Sequence, residues 1–122
     1  MLIALFTILL LGGTPTGLID YLSDVQDEVK VVMPKNDQRK AALNVLKNME
    51  KTTKARIKQV ANYSKQLSKA LADHDFDHDE IDSLWTEYHE TRSNFQMEMI
   101  DLRFELKNHF TREEWQDIFG NG

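Results

Sequence analysis

The residues best suited to chemistry lie in a short acidic segment, 73–79, which reads DHDFDHD. Its acids alternate as in an EF-hand loop, but His78 stands at the sixth position, where that loop needs Gly, and Leu84 at the twelfth, where it needs Glu. The segment is therefore not an EF-hand. If it were helical, His74 and His78 would share one face and, with Asp75, form a site for zinc, copper or nickel. Exposed polar turns containing His are common, so we expect at best weak binding of a divalent transition metal, and no tightly bound cofactor.

Other catalytic arrangements are missing from the sequence. The chain has no Cys, which excludes a thiol nucleophile, a thiolate zinc site and a disulfide. It has no Gly-rich phosphate-binding loop and no nucleophile in a recognisable setting. His89 and His109 are twenty residues apart, which is ~30 Å along one helix, so they cannot share a site. We predict that the protein is not an enzyme.

The net charge of −5 conceals a division of charge along the chain. Residues 35–69 contain ten basic and two acidic residues, a net charge of +8, whereas residues 73–122 contain four basic and fourteen acidic ones, a net charge of −10. Two successive helices of opposite charge attract each other, so we expect these segments to pair within the chain. Because the acidic segment competes with phosphate for the basic one, we predict no nucleic-acid partner.

The elements that carry these residues follow from two long heptad patterns. Between Ile81 and Phe110, apolar residues recur every seven positions in two series offset by four, and no Gly or Pro interrupts them. Residues 37–72 show a matching pattern, and the acidic turn joins the two segments. This combination predicts an antiparallel hairpin of long helices. The predicted fold is all-α, an elongated antiparallel helical hairpin with short flanking N- and C-terminal helices, and the helices are expected at 18–33, 37–72, 79–109 and 111–119.

Capping residues predict where each helix begins. The candidates are Asn36 or Asp37 for the second helix, Asp77 or Asp79 for the third, and Thr111 with Glu114 as a capping box for the last. Pro34 ends the first helix because it disfavours helical geometry in the residue before it. Within the second helix Arg56 occupies a position of the apolar stripe, and we expect its neighbour Ile57 to take over the packing there.

The first 17 residues form a separate unit in the sequence. Residues 2–11 are apolar except for Thr7, and a Gly- and Thr-containing stretch follows them. Such a run suits the apolar region of a signal peptide and is too short to span a bilayer. No basic residue precedes it, so an uncleaved anchor over residues 2–19 and a buried core helix stay open. We predict that residues 1–17 are a signal peptide or membrane anchor, with cleavage favoured, and that the hairpin domain 18–122 is periplasmic, soluble or tethered to the inner membrane.

The third helix carries more apolar residues than one seam can accommodate. Met97 and Phe104 lie off the two heptad series, so they indicate a second contact surface. One interpretation is that the first helix or the last one folds back over these residues. The other is a partner-binding surface, to which flexible Met side chains adapt well. Its candidate residues are Trp85, Phe95, Met97, Met99, Phe104, Phe110 and Trp115.

The segment from Met97 to Trp115, MEMIDLRFELKNHFTREEW, resembles the Spy/CpxP group of small periplasmic proteins and their heavy-metal-sensor relatives. The resemblance covers a long helix with an L-R-x-E-L pattern, then a turn in which Phe110 stands for the Leu of the group, Thr111 matches, and Glu114 replaces its Gln. More loosely, it covers the whole plan of export signal, short helix, long hairpin and short helix.

The resemblance implies a hooked helical hairpin, often dimeric, that acts as an envelope-stress chaperone, a regulator or a metal sensor. A second copy of the group's motif is not visible between residues 18 and 46, and no metal ligands are carried over. We therefore expect a non-enzymatic periplasmic binding protein, a homodimer, whose apolar helical surface holds unfolded protein clients or a membrane sensor protein. The alternative is a membrane-tethered structural subunit of an envelope complex, in which a partner chain permanently buries the same surface.

Overall fold

A computed structural model describes residues 15–120, and within them the chain is helical apart from short connections. The four helices in this range are α1 (Pro15–Val32), α2 (Asp37–Ala72), α3 (His78–Lys107) and α4 (Arg112–Phe119). The all-α prediction is confirmed, and so is the plan of a long hairpin, α2 and α3, with a short helix on either side. Each predicted helix end agrees with the structure to within three residues.

The N-terminal prediction falls mostly outside the described residues. Of the predicted signal peptide or anchor, residues 1–14 lie outside them, whereas residues 15–17 form the first turn of α1. Pro15 suits this position, because the N–H that proline lacks has no partner in the first turn of a helix. Of the helices that the structure describes, none has the length and apolar character needed to cross a membrane.

The two open choices between capping residues are decided in the same way, in favour of the earlier residue. Asn36 Oδ1 accepts a hydrogen bond of 3.0 Å from the Arg39 N–H, and Asp77 Oδ1 accepts one of 3.0 Å from the Asp79 N–H. Both cap residues have extended backbone, as N-caps require. Each bond satisfies an N–H that the helix itself leaves unpaired.

The predicted capping box is present at the start of α4. Thr111 Oγ1 accepts from the Glu114 N–H at 3.1 Å, and Glu114 Oε1 accepts from the Thr111 N–H at 2.9 Å. The preceding helix ends at Lys107, two residues earlier than predicted. The residues released from it let the Phe110 ring pack edge-on against Trp115, with ring centres 5.7 Å apart. This packing folds α4 back along the end of the hairpin.

The core occupies one end of the hairpin, which we call the base: α1, α4, residues 37–56 of α2 and residues 95–107 of α3. There α1 packs against α2 and also against α4, so that four helices close over one cluster. The buried apolar residues are Leu18, Tyr21, Leu22, Val25, Val29, Met33, Ala42, Val45, Leu46, Met49, Phe95, Met99, Leu106, Ile118 and Phe119. Burial of these side chains is the main source of stability for the fold.

The other end of the hairpin, residues 57–94, we call the tip. It consists of the end of α2, the turn and the start of α3, and all of its residues are half-buried or exposed. The reason is geometrical: α1 has 18 residues and α2 has 36, so α1 can cover only half of its partner. Two helices alone cannot remove their apolar stripes from water.

Candidate functional site

The tip carries an apolar groove between α2 and α3, with a volume of about 260 Å³. Its lining, which defines the tip groove, consists of Val60, Tyr63, Ser64 and Leu67 from α2 and Leu84, Trp85 and Tyr88 from α3. These residues face each other because the heptad spacing of both helices brings their stripes to the seam. At the base the corresponding residues are sealed by α1, whereas at the tip they stay open.

Aromatic rings give the tip groove a defined shape. Trp85 and Tyr88 stack, with ring centres 5.9 Å apart and planes inclined at 23°. Tyr63 meets Tyr88 edge to face across the seam, at 6.1 Å. Such contacts fix the orientation of large, rigid side chains that have few rotatable bonds. The groove therefore offers preformed apolar surface, whose ordering costs little when a ligand binds.

Much of this surface is in contact with water. Trp85 is 54% exposed, and Leu71 and Phe76 near the turn are also exposed. Completely burying a large apolar side chain contributes ~1.5–3 kcal/mol, so covering the exposed half of Trp85 alone would contribute ~1 kcal/mol. The tip groove is thus suited to binding an apolar group, and none of the seven residues that line it is charged.

A buried arginine separates the base from the tip. Arg56 is only 5% exposed, while Ile57 is half-buried, so the expectation that Ile57 would replace it in the seam was wrong. One nitrogen, Nη1, donates to Thr91 Oγ1 at 2.9 Å and to Gln59 Oε1 at 3.3 Å. The guanidinium carbon also lies 5.1 Å from the centre of the Tyr88 ring, in a cation–π contact. Arg56 stays in the seam because its neighbours supply polar and aromatic partners.

The electrostatics of Arg56 are unfavourable to its charge. Burial lowers the pKa of its guanidinium, Tyr88 raises it, and the nearby positive charge of Arg92 lowers it again. Among the described residues no carboxylate forms a salt bridge with Arg56. Arginine nevertheless keeps its charge at any ordinary pH. The seam therefore contains a buried cation that is stabilised by hydrogen bonds and an aromatic ring without an acidic partner.

A wider, polar groove lies beside Arg56 and has a volume of about 590 Å³. Its walls include basic, acidic and amide side chains, among them Lys51, Asn94 and Glu98. The carboxylate of Glu98 accepts a hydrogen bond from the Thr52 hydroxyl at 3.3 Å. Because both signs of charge line this groove, it selects neither anions nor cations, and we assign it no ligand.

The seven predicted partner-binding residues separate into three groups. Phe95 and Met99 lie in the core, 8% and 0% exposed. Their burial follows from their seam positions, which α1 covers at the base. Phe110 and Trp115 are half-buried against the same core. The remaining three are exposed: Trp85 lines the tip groove, whereas Met97 and Phe104 are 56% and 59% exposed on the outer side of α3.

The predicted metal site is not assembled. Residues 73–77 do not form a helix, so the spacing of four residues fails to bring His74 to the same face as His78. His74 Nδ1 instead contacts its neighbour Asp75 at 3.0 Å, and His78 Nδ1 contacts Asp82 at 3.2 Å, one turn along α3. The one group in residues 15–120 whose ligand atoms lie within 4.8 Å of one another is His78, Asp79 and Asp82. All three are exposed, and such clusters are common at the first turn of a helix, where the dipole favours acids.

The residues that reasoning from the sequence missed are those of α2 in the tip groove, chiefly Val60, Tyr63 and Leu67. The heptad pattern places them in the seam, where they do lie, and seam residues are normally buried. The available signal was the difference in length between the first two helices, because the shorter cannot cover the longer.

Comparison of the chain with protein-family models, with curated proteins and with solved structures finds no match to any of them.

Proposed function

We propose that this protein is a non-enzymatic binding protein that holds apolar segments of other proteins in its tip groove. The observation that carries the proposal is the uncovered apolar seam of the tip, next to a base that is fully packed. The C-terminal resemblance to Spy/CpxP proteins supports the same role, that of an envelope-stress chaperone or a regulator that binds a membrane sensor. Both activities need an apolar surface on a rigid helical support.

The composition of the tip groove supports binding of varied sequences. Trp85, Tyr63 and Tyr88 present large flat surfaces, and aromatic residues of this kind supply much of the binding energy at protein interfaces. The groove contains few directional polar groups, so it imposes little hydrogen-bonding specificity. An unfolded client needs such a surface, because its exposed apolar segments differ in sequence but share the tendency to leave water.

The proposed location is the periplasm, with the chain soluble or tethered to the inner membrane. The support is the apolar run at residues 2–11, which lies outside the described residues. Fractionation of cells that express a tagged copy, with mass spectrometry of the mature N-terminus, tests both export and cleavage. Recovery of the intact chain from the cytosol would contradict this location.

A second candidate function is favoured by the exposed Met97 and Phe104. They are seven residues apart and so share one side of α3, separate from the tip groove. A partner chain or a second copy seated there would make the protein a membrane-tethered structural subunit of an envelope complex, or a homodimer. In that case the two side chains would be buried permanently in the assembly.

The test compares the two surfaces in an aggregation assay. Trp85→Ser in the tip groove should reduce the ability of the protein to delay aggregation of a denatured test protein, because it removes exposed aromatic surface. Met97→Ser is the matched control: it also replaces a half-exposed apolar residue of α3, at a site outside the groove. Helicity should stay unchanged in both variants.

The outcomes distinguish the candidates. Loss of protection in Trp85→Ser alone supports client binding in the tip groove. Loss in Met97→Ser alone would move the binding surface to the outer side of α3. An absence of protection in the unmodified protein, together with dissociation of a stable oligomer in Met97→Ser or Phe104→Ser, would favour the structural subunit.

A further inference from the structure

The path of α1 brings the N-terminus of the described chain to the edge of the tip groove. Gln26 Nε2 donates a hydrogen bond of 3.0 Å to Glu50 Oε2, which fixes the pairing of α1 with α2. In a second contact Arg39 Nη1 donates to the Lys30 carbonyl oxygen at 3.3 Å, and since the two helices are antiparallel, counting back to Pro15 from these two contacts reaches α2 between Lys54 and Ala61. The first turn of α1 therefore lies near Val60, where the groove begins.

The groove continues the face of α2 that the rest of the chain covers at the base. Thr53, Val60 and Leu67 are spaced by seven residues and so share one side of the helix. Thr53 is fully buried at the base, whereas Val60 and Leu67 are half-buried at the tip. The stripe is the same, and it is buried only in the half of α2 along which α1 has the length to pack.

Residues 2–11 have the composition and length to cover Val60 and Leu67, the part of the stripe that is open at the tip. All of them except Thr7 are apolar, and they match a groove whose lining is mostly apolar. Ten residues span ~15 Å as a helix, and the groove lining on α2 from Val60 to Leu67 spans ~10 Å by the same rise per residue. Gly12 and Gly13 lie between the apolar run and α1 and leave the chain free to turn.

We infer that the tip groove binds the chain's own N-terminal segment, residues 2–11, as long as that segment remains attached. The inference rests on the proposed function, because the segment occupies the same groove that binds clients. Because the segment is tethered to the groove's own chain, it competes with clients at an effective concentration in the millimolar range.

The test uses the full chain and the fact that it contains no Cys. Ser64→Cys places a single thiol in the groove, and Ser83→Cys places one at an exposed site of the tip outside the groove lining. Alkylation by a maleimide should be about tenfold slower at position 64 than in the same protein carrying Leu5→Asp and Leu9→Asp, since a tethered ligand at an effective concentration of ~1 mM, about ten times a dissociation constant of ~0.1 mM, protects by about that factor. The rate at position 83 should be the same in both proteins.

A second measurement reports on the groove without a thiol. Tryptophan fluorescence, to which Trp115 of the base adds a constant signal, should shift to longer wavelength when Leu5→Asp and Leu9→Asp expel the segment from Trp85, whereas far-UV circular dichroism should show that the helices stay folded. Equal alkylation rates at position 64 with and without the two Asp substitutions would overturn the inference. Protection that disappears on dilution would assign the groove to a second copy, and this result would likewise refute the intramolecular contact.

The outcomes also separate this inference from the proposed function. If the protein with Leu5→Asp and Leu9→Asp delays client aggregation but position 64 is never protected, client binding stands and the self-binding segment is refuted. If position 64 is protected in the native chain but neither protein delays aggregation, the groove binds its own segment and the proposed function fails.

Discussion

Arg56→Met removes the buried charge from the middle of the hairpin and replaces it with an apolar side chain of similar length. The native guanidinium gains about 1.5–3 kcal/mol from its 2.9 Å hydrogen bond to Thr91, less from the 3.3 Å bond to Gln59, and about 1 kcal/mol from the Tyr88 ring. Against this, moving a cation out of water costs several kcal/mol. The two sums nearly cancel, so Arg56 contributes little net stability.

The replacement leaves no polar group stranded. The Thr91 hydroxyl keeps its bond to the Tyr88 carbonyl oxygen, at 2.9 Å, and Gln59 is exposed and can bond to water. A buried Met contributes ~1.5–3 kcal/mol from its removal from water. We therefore expect Arg56→Met to raise the free energy of unfolding by about 1–3 kcal/mol.

The assay is urea denaturation followed by circular dichroism, with Lys58→Met as the control for an exposed cation of the same helix. The control should change the free energy of unfolding by no more than about 0.5 kcal/mol, as is usual for surface substitutions. Destabilisation by Arg56→Met of more than about 1 kcal/mol would refute the reasoning, because it would show that the polar contacts of the guanidinium outweigh its desolvation.

Three further predictions concern the base and the turn. Burial raises the pKa of Tyr21 to about 12 from an ordinary 10.0, against the lowering effect of Arg103, so the folded state holds the phenolic proton more tightly than the unfolded state. The contribution of Tyr21 to the free energy of unfolding is complete below pH 10 and falls by about 2–3 kcal/mol as the pH rises to 12. Tyr21→Phe should abolish this loss in thermal melts across that pH range. Met99→Ala should lower the free energy of unfolding by about 2–5 kcal/mol, measured in urea, while Met97→Ala on the same helix should change it by less than about 1 kcal/mol, because only Met99 is buried. Calorimetric titration with zinc, copper and nickel should show at best weak binding, and submicromolar affinity lost on His78→Ala would contradict the exposed geometry of this cluster.

The sequence alone determined the helices and placed their ends to within three residues. Heptad periodicity needs only local spacing, and the caps at Asn36, Asp77 and Thr111 bind N–H groups two or three residues away. Such interactions are written in consecutive residues, so they can be recognised without knowledge of the packing. The hairpin followed from the same information, because two matched stripes joined by a short turn have one compact way to pair.

Only the tertiary structure decided which part of each stripe is covered. Met99 and Trp85 belong to the same heptad series, yet Met99 is buried and Trp85 is 54% exposed. Their difference depends on how far α1 and α4 extend along the hairpin, which is a property of docking rather than of spacing. The same holds for Arg56, whose burial depends on Thr91 and Tyr88 of another helix. Contacts between residues distant in sequence set these outcomes, and periodicity within one helix contains no information about them.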